Sequence, residues 1–234
     1  MKNSRIVFAK RPFGEPDDEC FRLEEVDVPP LSDNQLLIKV GWLSLDPYMR
    51  GRMNDVKSYV EPMQLGDVMT GESAGVVVES SSERFSPGDH VAVHQGWQSY
   101  IVCDDDDPRL MKIDLSNGSL SAHLGVVGMP GRTAYFGLKE VGKPQEGETL
   151  VVAAASGAVG SAVGQIAKIL GLRAVGIAGG PKKCAYVRDE LGFDDCIDYK
   201  EEGFTERLRE SCPNGVDIYF ENVGGKVTKA VAPL

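Results

Sequence analysis

From Thr149 onward, apolar runs of strand length alternate with helical patterns, and this alternation constrains the fold more than any other feature of the chain. "TLVVAAA" reads as a strand and Ala158–Leu170 as a helix. "RAVGIAG" reads as a strand, and Pro181–Leu191 as a helix with proline at its first position. "DCIDY" follows as a strand, Phe204–Ser211 as a short helix and "VDIYFENV" as a strand, and "GKVTKAV" opens another helix. Such regular alternation implies a parallel sheet with helices on both faces. The preceding residues have another texture. "LLIKV", "AGVVVES" and "HVAVHQ" are short β-like runs set between dense turn signals such as "DVPPLSDNQ", "DPYMRGRMND" and "FSPGDH". They predict a mainly antiparallel β unit, barrel-like in form. A helical segment starting after Pro130 joins the two textures. The expected class is α/β, with a β-rich domain over residues 1–122 and a doubly wound parallel-sheet domain over residues 123–234.

The turn after the first strand of the second domain is spaced by glycine. Gly157 and Gly160 hold the last two glycine positions of G-x-G-x-x-G, with Ala155 at the first. Gly157 lets a backbone approach a pyrophosphate, and Gly160 lets helix and strand pack closely. Val159, Ala162, Val163, Ile166 and Ile169 recur with helical period, so the helix starts at the turn and its free amides face a ligand. The alternative is that both glycines serve packing alone. The strand–turn–helix–strand frame favours a dinucleotide site.

An NAD site carries an acid about 20 residues on, bonded to the ribose 2′-hydroxyl. Here that position falls in "IAGGPKK", which has no acid and ends in Lys182 and Lys183. Small residues and cations accommodate a 2′-phosphate, so NADP(H) is the expected cofactor; the alternative is that both lysines are only solvated at a helix start. The carboxyl ends of parallel strands face the ligand crevice. Tyr199, after the third strand, and Asn222, in "ENVGG" after the fourth, are therefore candidates, the tyrosine against the alternative of a packed loop aromatic. Asn222 is expected to offer its amide to the ribose or the nicotinamide.

The formal net charge of −10 gives the chain no general attraction for nucleic acid or an anionic membrane, so neither is an expected partner. No run of about 18 apolar residues is present, and "MKNSRIVFAKRPFGEP" lacks the apolar core of a secretory signal, so a cytoplasmic location is expected. The five cysteines, Cys20, Cys103, Cys184, Cys196 and Cys212, form no C-x-x-C pair and are expected as reduced thiols. His90, His94 and His123 have no partner cysteines at ligand spacing, and "CDDDDP" reads as a solvated acidic loop, so no metal is expected.

"GMPGRTAYFGL", "AAASGAVGSAVGQIAK", "IDYK", "GVDIYFENVGGK" and "SLDPYMRGRM" together resemble the zinc-independent medium-chain dehydrogenases/reductases, in particular the NADP-dependent alkenal double-bond reductases and prostaglandin reductases. The resemblance runs along the whole chain. It implies a GroES-like first domain and a Rossmann second domain that binds NADPH. It also implies reduction of the C=C bond of α,β-unsaturated aldehydes or ketones, with a small-molecule enal or enone as partner. By motif position it implies that Gly157, Ala158, Val159 and Gly160 cradle the pyrophosphate. Gly179 and Lys183, with Tyr199 beside them, hold the adenosine ribose phosphate. Met129, Thr133 and Asn222 lie toward the nicotinamide, and Tyr48 lines the substrate pocket. Zinc-dependent members carry G-H-E where this chain has "TGESAG", and the four-cysteine lobe is absent. Quinone reduction on the same fold is one alternative, and a non-catalytic NADP-binding product is another.

A two-half Rossmann sheet has about six strands in the order 3-2-1-4-5-6. The sequence supplies four, so it reads as a C-terminally truncated, incomplete domain with its fourth strand at an open edge. The expectation is a chain that is unstable or self-associating, retains weak NADPH binding and is at best slowly active. The homodimer that the resemblance implies for full-length members is put in question by the incomplete sheet.

Overall fold

A computed structural model of the chain describes residues 1–58 and 60–234. It divides into two compact units, Met1–Leu124 and Gly125–Leu234. In the first, β1 (Lys2–Phe8) pairs antiparallel with β2 (Phe21–Asp27). A five-stranded antiparallel sheet follows, built from β3 (Gln35–Leu43), β4 (Ser73–Ser80), β5 (His90–Val93), β6 (Tyr100–Asp104) and β7 (Met111–Lys112), in the order β6-β3-β4-β5-β7. Alternation sets its inner face. Leu36 and Ile38 are fully buried and pack with Val77, Val91, Val93 and Ile101. Between β3 and β4 lies α1 (Tyr48–Arg52), a single helical turn.

The second unit begins with α2 (Met129–Phe136), which runs on into a π-helical turn over Gly137–Gly142. Then come β8 (Thr149–Ala153), α3 (Ala158–Ile169), β9 (Arg173–Ala178), α4 (Pro181–Ala185), β10 (Asp195–Asp198), α5 (Phe204–Ser211), β11 (Ile218–Phe220) and α6 (Gly225–Val231). The four strands form one parallel sheet in the order β10-β9-β8-β11, so β11 is an edge strand. β8 is apolar from Leu150 to Ala153 because it is covered twice. Leu150 and Val152 point into a core shared with α2, α3 and α4, while Val151 and Ala153 point into a core shared with α5 and α6. This is a doubly wound sheet.

Three elements differ from the sequence reading. The helix expected over Pro181–Leu191 is α only to Ala185 and then a π-helical turn, Tyr186–Glu190. The strand expected over "VDIYFENV" is three residues long, because Glu221 leaves the ladder to bond the following turn. Of the apolar stripe expected on α3, Ala162 and Val163 are buried and Val159 and Ile166 pack against the core, while Ile169 falls outside it. The buried residues are Gly160, Ala162, Val163, Gly164 and Ala167, and Ile169 is 83% exposed. The helix presses its smallest residues on the sheet, and the ring of Phe193 covers Gly164 so closely that a Cβ there would lie 1.8 Å from it. All five cysteines are free thiols and buried.

Candidate functional site

The site is built at the carboxyl edge of the parallel sheet. After β8 the chain turns sharply at Ala154, whose φ of 50° is left-handed. That turn aims the Ala154 carbonyl at α3, where a Cβ on Gly160 would lie 2.4 Å from the oxygen. Only glycine fits there, and the helix is thereby drawn against the end of β8. Gly157 sits at the N-cap of α3 with extended backbone, which leaves the first amides of a twelve-residue helix facing outward.

β9 ends in Ala178, Gly179 and Gly180, and Tyr199 follows β10. Its ring lies against Gly179, where a Cβ would come within 2.9 Å of Cε1. Ser156, Gly157, Gly179, Lys183 and Tyr199 line one cavity of about 400 Å³. Lys200, Gly224 and Lys226 line it as well, and no carboxylate does. The nearby acid, Asp198, is 6% exposed and turned to the loop backbone. Its carboxylate accepts the Lys200 amide at 2.9 Å and also the Gly180 amide, and these bonds hold its pKa below the usual carboxylate value.

The turn between β11 and α6 is fixed by Glu221. It accepts from the Val223 and Gly224 amides at 2.6 and 2.8 Å, from the Tyr219 hydroxyl at 2.6 Å and from the Thr228 hydroxyl. Burial alone would raise its pKa, but these bonds outweigh it and bring the carboxyl down to about 2.

Of the residues expected in a cofactor site, Gly157, Gly179, Lys183 and Tyr199 thus meet in one cavity. Ala158, Val159 and Gly160 continue from it into α3. Lys182 is not among the lining residues. Met129 and Thr133 lie elsewhere, one turn apart on α2, where the threonine hydroxyl donates to the Met129 carbonyl at 2.8 Å. Asn222 is also outside the lining, and one N–H of its amide is committed to the Ala153 carbonyl at 2.9 Å. Lys200 and Lys226 were not singled out from the sequence. Each directly follows the carboxyl end of a strand or the turn after it, and that position was the available signal.

In the first unit, the Tyr48 hydroxyl lies 3.3 Å from His94 Nε2, which is also 3.0 Å from Thr70 Oγ1. Burial first, and then the charges of Arg109 and Arg52, keep the His94 pKa below its ordinary value, so the ring is neutral at pH 7. His94, Thr70, Arg52, Gln98 and Arg109 line a polar cavity of about 670 Å³. His94, considered in the sequence only as a metal ligand, is a hydrogen-bond partner of the tyrosine. Among the described residues no group of three or more His, Cys, Asp or Glu side chains is arranged to hold a metal, and no helix is long and apolar enough to cross a membrane.

Comparison with known proteins agrees with this architecture. Residues 4–113 match a family described as the N-terminal domain of oxidoreductase, and residues 158–232 match one described as zinc-binding dehydrogenase. The NADPH-dependent curcumin reductase of Escherichia coli (strain K12) is 52% identical over 234 residues, which cover 100% of this chain and 67% of that protein. The 2-alkenal reductase (NADP(+)-dependent) of Nicotiana tabacum is 40% identical over 236 residues, covering 99% and 68%. The crystal structure of CurA from Vibrio vulnificus in complex with NADPH superposes with a TM-score of 0.93 at 50% identity, covering 99% and 68%. The chain therefore spans about two thirds of the length of these relatives. With a β-rich unit followed by a Rossmann-type parallel sheet, and with identities of this order along its whole length, the chain belongs to the zinc-independent, NADP-dependent branch of the medium-chain dehydrogenase/reductase family, together with the curcumin and alkenal reductases.

Proposed function

We propose that the protein is an NADPH-dependent reductase of the C=C bond of α,β-unsaturated aldehydes and ketones. The observation that carries this reading is the lysine-bearing cavity without a carboxylate at the ends of β8, β9 and β10. An NAD site places an acid at that point to bond the ribose 2′-hydroxyl; here glycines and Lys183 leave room and charge for a 2′-phosphate. The relatives named for NADPH and for alkenals or curcumin support the same reading.

In this reading residues 123–234 bind the nucleotide and residues 1–122 carry the substrate pocket. Gly157, Ala158, Val159 and Gly160 approach the pyrophosphate, with the α3 amides facing it. Gly179, Lys183 and Tyr199 hold the ribose phosphate. Met129, Thr133 and Asn222 belong to the nicotinamide side, Asn222 through its remaining N–H and its Oδ1. NADPH, when bound, supplies the hydride that adds to the β-carbon. Negative charge then develops on the carbonyl oxygen, where a hydroxyl donor such as Tyr48 stabilises it, and a proton delivered to the α-carbon completes the reduction.

The test is steady-state NADPH consumption with a short 2-alkenal, and separately with a quinone, with NADH as the comparison cofactor. Faster turnover of the alkenal with NADPH is expected. Turnover of the quinone alone would replace the enone reading with quinone reduction, and equal rates with NADH would remove the 2′-phosphate from it.

A further inference from the structure

In a chain of net charge −10, three lysines gather at one cavity, and none has an ion-pair partner among the described residues. They come from different elements. Lys183 is on α4, which packs on the α3 face of the sheet; Lys200 follows β10; and Lys226 is on α6, which packs on the α5 face. The cavity is therefore approached by cations from both faces of the sheet. Lys226 is further fixed in place. Its Nζ lies 5.0 Å from the centroid of the Tyr199 ring, and the same ring lies against Gly179 on the cavity wall. The turn before α6 is held by the four bonds to Glu221, so the helix that carries Lys226 starts from a rigid point.

Like charges brought together repel, and an anionic ligand in the space between them relieves that repulsion. We propose that Lys226 is a specificity-determining residue of the nucleotide site, reading the ribose 2′-phosphate from the α6 side while Lys183 reads it from the α4 side, with the Tyr199 ring as the platform that orients Lys226. This inference rests on the NADPH reading above and adds to it a residue that the glycine motif does not reach. Two lysines from opposite faces enclose a dianion, whereas one lysine beside a loop only neighbours it.

The test compares adenosine 2′,5′-bisphosphate with 5′-AMP by titration calorimetry on the full chain. Both ligands fill the adenosine end of the site, and only the first carries the 2′-phosphate. The wild type is expected to prefer the bisphosphate. Lys226→Met should weaken the bisphosphate about tenfold or more, the effect of losing one charge-assisted bond, and leave 5′-AMP within about twofold. Lys226→Arg should restore most of the preference. Lys229→Met removes the same charge from the same helix outside the cavity and should change neither affinity. Equal weakening of both ligands in Lys226→Met would overturn the proposal, because it would make the lysine a packing partner of Tyr199. So would an unchanged bisphosphate affinity. A wild type that binds the two ligands equally would overturn the 2′-phosphate reading itself, and that failure is visible before any variant is made.

Discussion

Gly160 and Lys183 show how differently single residues act in one site. At Gly160 the constraint is steric. The carbonyl of Ala154 already occupies the space of a side chain, so Gly160→Ala must push α3 off the end of β8. We expect a loss of about 1–3 kcal/mol in urea unfolding, the range for overpacking a close contact, despite alanine's better helix propensity. Lys183 is electrostatic and exposed, and folding does not need it. Lys183→Ala should leave the urea midpoint within error and weaken NADPH binding by about 1.5–3 kcal/mol, with NADH binding almost unchanged when both are titrated by fluorescence. Equal losses for the two cofactors would remove the phosphate role. The glycine was legible because its motif is local in the chain and states a backbone requirement. Lys226 was not, because what matters is its place over Tyr199, 27 positions earlier, and no spacing rule reports that contact.

Among the elements, β8, α3 and β9 were readable from the sequence because each announces itself: an unbroken apolar run, a glycine turn, a second apolar run. α1 was read as turn punctuation, since a five-residue helix has too few residues to show a period. The π-helical turn after α4 left no mark either, because an inserted residue changes hydrogen bonding without changing composition. The apolar stripe of α3 holds from Val159 to Ile166 and fails at Ile169, in the last turn. What the stripe does not report is Gly164, the close contact where the Phe193 ring lies across the helix. The turn between β11 and α6 depends on a charge. Folding lowers the Glu221 carboxyl from its ordinary 4.5 to about 2, so the ionised group's contribution is complete above pH 4.5 and disappears as pH falls through about 2. Glu221→Gln should therefore be less stable than the wild type at pH 7, and the gap should narrow steadily in urea melts taken from pH 4.5 toward pH 2. A gap independent of pH would mean that the side chain acts by shape alone.

At the scale of the whole molecule, two units of different texture each keep a core of their own, and the thiols are distributed through both. Burial pushes the Cys103 thiol up to about 12, with the neighbouring aspartates adding to the shift, and burial likewise raises the Cys184, Cys196 and Cys212 thiols. The native chain should accordingly react with a thiol reagent such as iodoacetamide far more slowly than the urea-unfolded chain, which should label at all five cysteines. Rapid labelling of the native chain at any of the four raised thiols would contradict this. The same concealment bears on chemical endurance. Michael acceptors such as enals alkylate thiolates, so a protein exposed to them is at risk of inactivation. A protein whose cysteine thiols are all buried, most of them held firmly as S–H, can meet such an electrophile without being consumed by it.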